Sequence, residues 1–394
     1  RQMATKFRFV NADGNTVDFE DYYVRADYFR SGNAWICGDG SYGGIGDNTA
    51  TGESSPVQTL AFGSNWKQVS ADNNWHVTGV KTDGTLWTWG FNGRGQLGDN
   101  TTTDKSSPIQ TVTRGTNWVQ VSQGYSFTGA IKTDGTLWLW GSNYNGELGD
   151  NTITLKSSPV QTIARGNNWK QVSCGTGTCF AIKTDGTLWC WGSGTYGNLG
   201  TNDTLVYSSP VQTVAYGTSW KQVSCNLYQS AAVKTDGTLW IWGYNYYGNL
   251  GDDTQVDKSS PVQTVAGGTN WKQVSCGSYH TAAVKTDGTL WSWGDNLYGE
   301  LGENIAYTKY SSPVQTIAYG TNWKQVSCGQ YFTTAVKTDG TLWTWGLNNY
   351  GNLGTNDTTS YSSPVQTVMY GTNWKQVSCG YYKMIAVQYQ DDYQ

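Results

Sequence analysis

The residue types that perform most enzyme chemistry are sparse in this sequence of 394 residues. Its two histidines, His76 and His280, stand in units far apart in the chain, and no Ser-His-Asp set is evident around them. The sequence also lacks a G-x-x-x-x-G-K-[ST] phosphate loop, an H-E-x-x-H zinc motif and a calcium loop. We therefore expect no enzymatic activity, no cofactor and no metal.

Cysteine is the other residue type that could bind a metal or form cross-links. Five of the eight cysteines recur at one position of a repeat of about 51 residues: Cys174, Cys225, Cys276, Cys328 and Cys379. Equivalent positions of successive units rarely touch, so a buried thiol acting as a small apolar side chain explains them better than a disulfide framework. Cys37, Cys179 and Cys190 show no zinc-like spacing either.

Composition narrows the class of protein further. Only 14% of the residues are charged and the net charge is -4, so no basic field is present to bind nucleic acid. No run of about 18 apolar residues could span a bilayer, and RQMATKFRFV has no apolar stretch of the signal-peptide type. These features predict a soluble protein without membrane insertion, whose 21 Trp and 26 Tyr build an aromatic core.

A tandem repeat organises most of the chain. Asp-Gly pairs begin at Asp83, Asp134, Asp185, Asp236, Asp287 and Asp339, and Ser-Ser-Pro triplets end at Pro56, Pro108, Pro159, Pro210, Pro261, Pro313 and Pro364, the only prolines in the sequence. Both series have a spacing of about 51 residues, and the triplets indicate seven units. A period of this length is typical of solenoids, propellers and arrays.

Each unit is interpreted as four β-strands, which we name A to D. Segments such as NWKQVSCG, TAAVK, TLWTWG and SSPVQT supply A, B, C and D in turn. Asp-Gly between β-prone runs indicates a tight hairpin from B to C, because Gly accepts a positive φ. In strand C, Trp87 and Trp89 are predicted on one side of the sheet, opposite Leu86 and Thr88. Proline fits an edge strand, which places strand D outermost.

Four strands cannot bury both faces of a sheet alone, so neighbouring units must stack. Seven stacked sheets closed in a ring give an all-β, seven-bladed β-propeller with four-stranded blades, which we assign to residues 31–394. The last unit supplies only strands A and B, whereas the first segment of the repeat begins with strand C, at Asn33 to Cys37. We therefore expect one blade to be assembled from both ends of the chain.

The repeat resembles that of the regulator of chromosome condensation family. The resemblance rests on WG-x-N-x-x-G-x-LG, as in Trp89 to Gly98, followed by Pro and then by VSCG with an aromatic residue or His, and it covers about Ser31 to Gln388. It implies the propeller fold, and it implies packing rather than catalysis for the two histidines. It leaves function open, because the family includes nucleotide exchange factors, ubiquitin ligase modules, a secreted β-lactamase inhibitor, and repeat proteins of bacteria and phages.

The copies differ on one side of the predicted ring, which we name the loop face. It is formed by the A-to-B loops, as in Gly124–Phe127, and by the C-to-D loops, whereas the nearly constant B-to-C and D-to-A loops form the opposite turn face. Tyr, Trp, Asn and Ser dominate the variable loops, a composition typical of recognition surfaces. We predict partner binding through Trp75, His76, Tyr125, Phe127, Tyr144, Tyr228, Tyr246, Tyr279, His280, Tyr331, Phe332, Tyr381 and Tyr382.

Two alternatives to partner binding stay open for these aromatic residues. Tyr196, Tyr247, Tyr298 and Tyr350 each precede the Gly of G-x-LG and could simply pack on the next blade. Variation could also be drift on an inactive surface. Against drift, relaxed loops should gain charged residues as readily as aromatic ones, and these loops favour aromatic residues.

Residues 1–30 lie outside the repeat. Lys6–Val10 alternates, Asn11–Asn15 has the composition of a turn and Thr16–Val24 alternates again, which predicts a β-hairpin arm. Because an isolated hairpin is marginal in water, the arm should dock, either over the seam or rim of the propeller or onto a larger assembly by adding strands to an edge. In the second case the assembly residues are Phe7, Phe9, Phe19, Tyr22 and Tyr23.

Three functions fit these features. The preferred one is a non-enzymatic display or adhesion propeller, attached through its arm to a protein of a larger particle such as a phage virion, at its surface or tail, and binding a host protein or glycan through the loop face. The alternative is a soluble protein-binding regulator, cytoplasmic or extracellular, that acts as an enzyme inhibitor or in the manner of a GTPase exchange factor. The third is a glycan-binding propeller.

Overall fold

Regular structure in the described residues is β, apart from two short 3-10 turns at Ser41–Gly43 and Thr195–Gly197. The computed structural model describes residues 9–10, 16–17, 32–60, 65–71, 75–113, 115–164, 166–215, 217–317, 320–368 and 371–389. Within them the all-β prediction is confirmed. This part of the chain contains no helix with the length and apolar character needed to cross a membrane.

The strands are numbered in chain order, and from β5 onward they recur as A, B, C and D. They are β1 (Phe9–Val10), β2 (Thr16–Val17), β3 (Gly32–Gly38), β4 (Glu53–Gln58), β5 (Trp66–Ala71), β6 (His76–Lys81), β7 (Leu86–Gly90), β8 (Lys105–Gln110), β9 (Trp118–Gly124), β10 (Phe127–Lys132), β11 (Leu137–Gly141), β12 (Lys156–Gln161), β13 (Trp169–Cys174), β14 (Thr178–Lys183), β15 (Leu188–Gly192), β16 (Tyr207–Gln212), β17 (Trp220–Cys225), β18 (Gln229–Lys234), β19 (Leu239–Gly243), β20 (Lys258–Gln263), β21 (Trp271–Cys276), β22 (His280–Lys285), β23 (Leu290–Asn296), β24 (Thr308–Gln315), β25 (Trp323–Cys328), β26 (Phe332–Lys337), β27 (Leu342–Gly346), β28 (Tyr361–Gln366), β29 (Trp374–Cys379) and β30 (Lys383–Tyr389).

Most of the strands form sheets of four. The sheets β9 to β12, β13 to β16, β17 to β20, β21 to β24 and β25 to β28 each follow the predicted order A-B-C-D. Eight further strands form one sheet in the order β29-β30-β3-β5-β6-β7-β8, with β4 paired to β3. Strand β3 pairs with β30 from Gly32 opposite Tyr389 to Gly38 opposite Lys383, so both ends of the repeat region share a sheet. A single residue pair, Gly32 with Trp66, joins β3 to β5.

The Asp-Gly turns have the conformation that the sequence predicts. Gly84 has a φ of 79°, and a Cβ atom added there would lie 2.0 Å from the carbonyl oxygen of Thr116. Both the backbone conformation and the close approach therefore require glycine. Thr85 donates to Asp83 Oδ1 from its backbone N–H at 2.9 Å and from its hydroxyl at 2.7 Å, which closes the turn.

Glutamine side chains connect the inner strands. Strand A is its unit's innermost strand, so one side of its backbone lacks a full partner strand. Gln68 Nε2 donates to the carbonyl of Val121 at 2.9 Å, and the N–H of Val121 donates to Gln68 Oε1 at 3.0 Å. The same pair of hydrogen bonds recurs for Gln120–Val172, Gln171–Val223, Gln222–Val274, Gln273–Val326, Gln325–Val377 and Gln376–Val69. Because Gln376 returns to Val69, the series is closed.

A second series connects the outer strands. The N–H of Asn48, a residue with a φ of 70°, donates to the carbonyl of Ser106 at 2.8 Å, and Ser106 belongs to strand D of the next unit. Asn tolerates this left-handed conformation better than most residues do. The equivalent bonds join Asn100–Ser157, Asn151–Ser208, Asn202–Ser259, Asp253–Ser311, Asn304–Ser362 and Asn356–Ser54. This outer series therefore also returns to its starting unit.

The core lies between neighbouring sheets and is rich in tryptophan. Trp87 and Trp89 pack in a cluster with Ile36 of the preceding unit, whereas Leu86 packs in a cluster with Trp118 of the next. This confirms that the Trp and Leu side chains of strand C occupy opposite sides. Fully buried Trp140 donates its indole N–H to the carbonyl of Gln96 at 2.8 Å, so the ring also ties one unit to another.

The described part of the N-terminal segment is one short antiparallel pair. Phe9 pairs with Val17 and Val10 with Thr16, in β1 and β2. These two pairs have the register of the predicted hairpin. The rest of that prediction, with Phe7, Phe19, Tyr22 and Tyr23, lies outside the described residues, so the boundary at residue 30 and the assembly role stay predictions.

Candidate functional site

The two sets of loops lie on separate sides of the ring. On the turn face, the N–H of Thr133 in a B-to-C turn donates to the carbonyl of Asn117 in a D-to-A loop at 2.7 Å. On the loop face, the N–H of Tyr244 in a C-to-D loop donates to the carbonyl of Tyr228 in an A-to-B loop at 2.9 Å. The C-to-D loops are residues 39–52, 91–104, 142–155, 193–206, 244–257, 297–307 and 347–360.

Tyrosines from both kinds of loop form a continuous cluster on the loop face. The ring centroids of Tyr196 and Tyr228 are 4.9 Å apart, those of Tyr247 and Tyr279 are 5.1 Å apart, and those of Tyr279 and Tyr331 are 5.6 Å apart. We name this cluster the tyrosine belt. Its members are Tyr196, Tyr228, Tyr244, Tyr246, Tyr247, Tyr279, Tyr298 and Tyr331.

Two smaller aromatic groups continue the loop face. Tyr382 stacks on Tyr350 at 4.3 Å and meets Tyr381 edge-on at 4.4 Å. Gln330 Nε2, in the residue before Tyr331, donates to the hydroxyl of Tyr381. The other group surrounds Trp75, whose ring lies 5.2 Å from Tyr42 and 6.2 Å from Phe91 and whose indole N–H donates to Asp39 Oδ2 at 2.7 Å.

Packing of the tyrosines before G-x-LG on the next blade also fits the geometry. Tyr196, Tyr247, Tyr298 and Tyr350 each contact a tyrosine in the A-to-B loop of the next unit. Tyr196 and Tyr350 nevertheless remain 40% and 45% exposed, and Tyr246 is 58% exposed. These rings therefore pack on their neighbours and still present area to solvent.

Four of the predicted contact residues are buried. His76, Phe127, His280 and Phe332 are at most 1% exposed, because each begins strand B and packs between sheets instead of belonging to the loop. This corrects the prediction that these four contact a partner. The imidazole Nε2 of His280 lies 2.9 Å from the hydroxyl of Thr333, and burial lowers the pKa of this histidine to about 3. His76 makes the corresponding contact with Thr128 at 3.2 Å.

A cavity of about 360 Å³ brings three predicted residues together. Tyr125, Tyr144 and Tyr228 line it with Arg94 and Glu147. The guanidinium of Arg94 donates to the hydroxyl of Tyr144 at 2.6 Å and lies 5.1 Å from the ring centroid of that tyrosine. Burial raises the pKa of Glu147, whose Oε2 accepts from the N–H of Asn145 at 2.8 Å.

Buried ionisable groups under the loop face were not found from the sequence. Burial raises the pKa of Glu300 to about 8, and its Oε2 accepts from the N–H of Tyr298 at 2.7 Å. Lys383 is 1% exposed, and burial lowers its pKa to about 8. A Cβ atom on Gly44 would lie 2.2 Å from Lys383 Nζ. The sequence contained one indication of the buried lysine: Gly44 stands where every other unit has a larger residue, which leaves space for Lys383.

The cysteines are packing residues. All eight are buried and free, and the five at the repeat position lie at the end of strand A. Burial raises the pKa of Cys276 to about 12, as expected for an enclosed thiol. Among the residues that the structure describes, no three His, Cys, Asp or Glu side chains are grouped as metal ligands.

A closed succession of β-sheets built from a repeat of about 51 residues, with tryptophans between the sheets and tyrosines in the loops of one rim, defines a β-propeller repeat protein. Residues 33–386 match the RCC1-like domain. The chain belongs to this family.

Two curated relatives illustrate where this domain occurs. The ultraviolet-B receptor UVR8 of Arabidopsis thaliana is 32% identical over 320 residues, which cover 79% of this chain and 72% of the receptor. The E3 ubiquitin-protein ligase HERC2 of Homo sapiens is 28% identical over 272 residues, which cover 67% of this chain but only 6% of the ligase.

Two crystal structures share the fold at low sequence identity. Human WBSCR16 aligns with a TM-score of 0.81 and 20% identity, covering 92% of this chain and 100% of that one. Prp20p from Saccharomyces cerevisiae, described together with its binding to Gsp1p and histones, aligns with a TM-score of 0.81 and 18% identity, covering 93% of this chain and 95% of that one.

Proposed function

We propose that the protein is a non-enzymatic regulator that binds a partner protein through its loop face. The observation that carries this proposal is the tyrosine belt, because tyrosine offers a large, rigid ring with a polar tip and is enriched in protein interfaces. Exposed Tyr196 and Tyr246 present ring area directly to solvent, and the rings of half-buried members of the belt pack against them.

The relatives favour a regulator over a display protein. UVR8 is named a receptor, HERC2 is named a ligase in which the matching segment is a small part, and Prp20p is described as binding other proteins. None of the relatives described above is named as a component of a virion, so the particle-display interpretation gains no support from them. A protein partner is the common element that we carry over to this chain.

We further propose that the ring has seven blades. The eight-stranded sheet divides into β29-β30-β3-β4 and β5-β6-β7-β8, because a single residue pair joins the two halves. Each half then has the A-B-C-D order of the other sheets. The seven Gln–Val connections between the described strands A agree with this count.

Co-precipitation from the native source tests the proposed function. We expect wild-type protein to retain a stoichiometric partner, and we expect the double variant Tyr196→Ser, Tyr246→Ser to lose it at least tenfold. The matched control is Lys170→Ser, Lys221→Ser, which changes exposed residues of strands A. A partner that is retained by the tyrosine variant and lost by the lysine variant would place recognition elsewhere and refute the proposal.

The N-terminal segment is proposed to be a separate arm, residues 1–30, with a docking role. A chain that begins at residue 31 should keep the thermal midpoint of the full chain within a few degrees, because the arm lies outside the closed Gln–Val series. Any assembly formed by the full chain should disappear, which size-exclusion chromatography with light scattering would detect. Unchanged assembly would remove the docking role.

A further inference from the structure

Charge is distributed unequally between the two faces of the ring. In the turn face each B-to-C turn carries one Lys with one Asp, as in Lys81 and Asp83. Arg94 is the only basic residue in the seven C-to-D loops. The acidic residues of those loops, with Asp295 at the end of β23, are Asp39, Asp47, Asp99, Asp104, Glu147, Asp150, Asp203, Asp252, Asp253, Asp257, Glu300, Glu303 and Asp357. Burial raises the pKa of Glu300 to about 8, so this carboxyl is neutral at pH 7, and Lys105, Lys156, Lys258 and Lys309 lie at the starts of strands D on the same rim. The aspartates outnumber these cations, so the loop face is the acidic side of the protein.

Local ion pairs compensate only part of this charge. Lys105 Nζ lies 3.5 Å from Asp99 Oδ2, and Lys258 Nζ lies 3.6 Å from Asp252 Oδ2. Within the part of the chain that the structure describes, no other carboxylate of the C-to-D loops has a Lys or Arg ion pair closer than 4.0 Å. Two acidic side chains without such a pair act on the tyrosine belt: Asp257 on Tyr244, and Asp295 on Tyr247 and Tyr331. Lys309 acts on Asp295 from beyond ion-pair distance.

The chain's own cations show that tyrosine rings of this face accept positive charge. The guanidinium of Arg94 lies 5.1 Å from the ring centroid of Tyr144, and Lys309 Nζ lies 5.2 Å from that of Tyr246. Both distances are within the range of a cation–π contact. Tyr144 and Tyr246 are still 57% and 58% exposed, so ring area remains available to a second cation.

The acidic groups and the rings are electrically coupled. Burial raises the pKa of Tyr331, and the neighbouring Tyr279 and Asp295 add to this rise. Burial and then Asp295 raise the pKa of Tyr247 in the same way. The Asp295 contribution favours an added positive charge near these rings, whereas burial, the larger cause, opposes a charge of either sign, so a cation is favoured where a ring is exposed.

We infer that the loop face binds an arginine- and lysine-containing segment of its partner protein, with the cationic side chains on the exposed rings of the tyrosine belt and the acidic loops around them. This inference rests on the proposed function and specifies its partner. Arginine should be preferred over lysine, because its planar guanidinium stacks on a ring and is more weakly hydrated than an ammonium. Nucleic acid is disfavoured because its phosphates would meet the acidic loops.

Fluorescence anisotropy with the full chain and defined peptides tests the inference. The probe is a fluorescein-labelled Gly-Ser peptide with arginine at every third position, compared with versions in which lysine or glutamine replaces each arginine. We expect the arginine peptide to bind several-fold more tightly than the lysine peptide and at least tenfold more tightly than the glutamine peptide. Equal binding of the arginine and glutamine peptides would overturn the inference.

Two sets of variants separate ring contacts from general attraction. For the rings, Tyr196→Phe, Tyr246→Phe should bind the arginine peptide within about twofold of wild type, whereas Tyr196→Leu, Tyr246→Leu should bind about tenfold more weakly. For the charges, Asp253→Asn, Asp257→Asn should weaken binding at least fivefold. The control Asp185→Asn, Asp236→Asn changes net charge equally on the turn face and should have an effect below twofold. Asp253→Asn is structurally conservative, because the other six units have Asn there.

The outcomes also distinguish this inference from the proposed function. Equal losses in both charge variants would show unspecific attraction to an acidic protein and overturn the inference, as would binding of an oligosaccharide array instead of the peptides. If the native partner depends on Tyr196 and Tyr246 while no peptide binds, the proposed function stands and the cationic segment is rejected. If neither depends on these tyrosines, both are rejected.

Discussion

A buried glutamine and a buried glutamate under the loop face make the same hydrogen bond to the backbone in two different units. Gln96 Oε1 accepts from the N–H of Arg94 at 2.9 Å, and Glu300 Oε2 accepts from the N–H of Tyr298 at 2.7 Å, at equivalent positions of two units. Both residues are fully buried. Only the glutamate adds a titration, since burial raises its pKa to about 8.

The Glu300→Gln variant should therefore be more stable than wild type at alkaline pH. The carboxyl keeps its proton in the folded protein up to about pH 8, whereas it ionises near 4.5 when unfolded, so the stability that it contributes is present below 4.5 and is lost as pH rises to 8. We expect the free energies of unfolding to be similar at pH 4.5 and to differ by a few kcal/mol at pH 9, from about 1.4 kcal/mol per pKa unit. Urea unfolding at several pH values measures this.

The reciprocal variant Gln96→Glu is the matched control. It should introduce a loss of stability between the same two pH values, because Gln96 is equally buried. A pH-independent destabilisation by Glu300→Gln would contradict the assignment of the charge penalty to this carboxyl.

Residue-scale prediction from the sequence succeeded where backbone geometry decides and failed where a strand boundary decides. Gly84 and Trp87 were placed correctly, because a positive φ and the period-two alternation of strands are local properties. His280 and Phe332 were assigned to a loop although strand B begins with them, and a shift of one residue converts a surface position into a buried one. The burial of Glu300 depends on the neighbouring unit, so no local pattern reports it.

At the scale of strands, the Gln–Val bonds replace a missing neighbour strand. Removing the side chain leaves one buried N–H and one carbonyl without a partner, which costs about 1–3 kcal/mol. We expect Gln376→Ala and Gln171→Ala to lower the free energy of unfolding by similar amounts in this range, as measured by denaturant titration. Gln376 makes the bond that returns to Val69, while Gln171 joins two internal units.

Equal effects of the two substitutions are the signature of a closed ring. A Gln376→Ala variant as stable as wild type, beside a destabilised Gln171→Ala variant, would show that the first and last units do not bond in solution. The conservative Gln376→Glu variant should be intermediate, because a carboxylate accepts the N–H of Val69 but cannot donate to its carbonyl.

The strand plan was readable from the sequence, but the connections between strands were not. Proline placed strand D at the edge and Asp-Gly placed the B-to-C hairpin, because each restricts the backbone directly. The letters Gln and Val in QVSC indicated only a strand. Their bond to the next unit arises from the spacing of the stacked sheets, which the sequence of one unit does not encode.

At the scale of the whole molecule, the strands from the two ends of the chain hold one sheet together. Truncation after residue 370 removes β29 and β30; because β30 is the strand that pairs with β3, its loss exposes an edge of β3. We expect the truncated chain to lose cooperative thermal unfolding and to aggregate, as followed by circular dichroism and light scattering. A permuted chain that carries residues 371–389 through a flexible linker ahead of residue 32 should recover the wild-type midpoint within a few degrees.

Failure of the permuted chain together with a stable truncated chain would show that the terminal strands are dispensable. Recovery by permutation would instead establish that the sheet, and not the order of its strands along the chain, is what stability requires.

The inner Gln–Val bonds and the outer Asn–Ser bonds form two closed series of hydrogen bonds that join the same set of sheets. A sheet that tilted or moved outward would lengthen bonds of both series. The spacing between the units that carry the aromatic rings is therefore set before a ligand binds. A ligand that matches this spacing gains from the pre-organisation, because little conformational freedom remains to be lost. The sheets do not move to accommodate a ligand that does not match this spacing. The selectivity of the loop face is therefore set by its geometry.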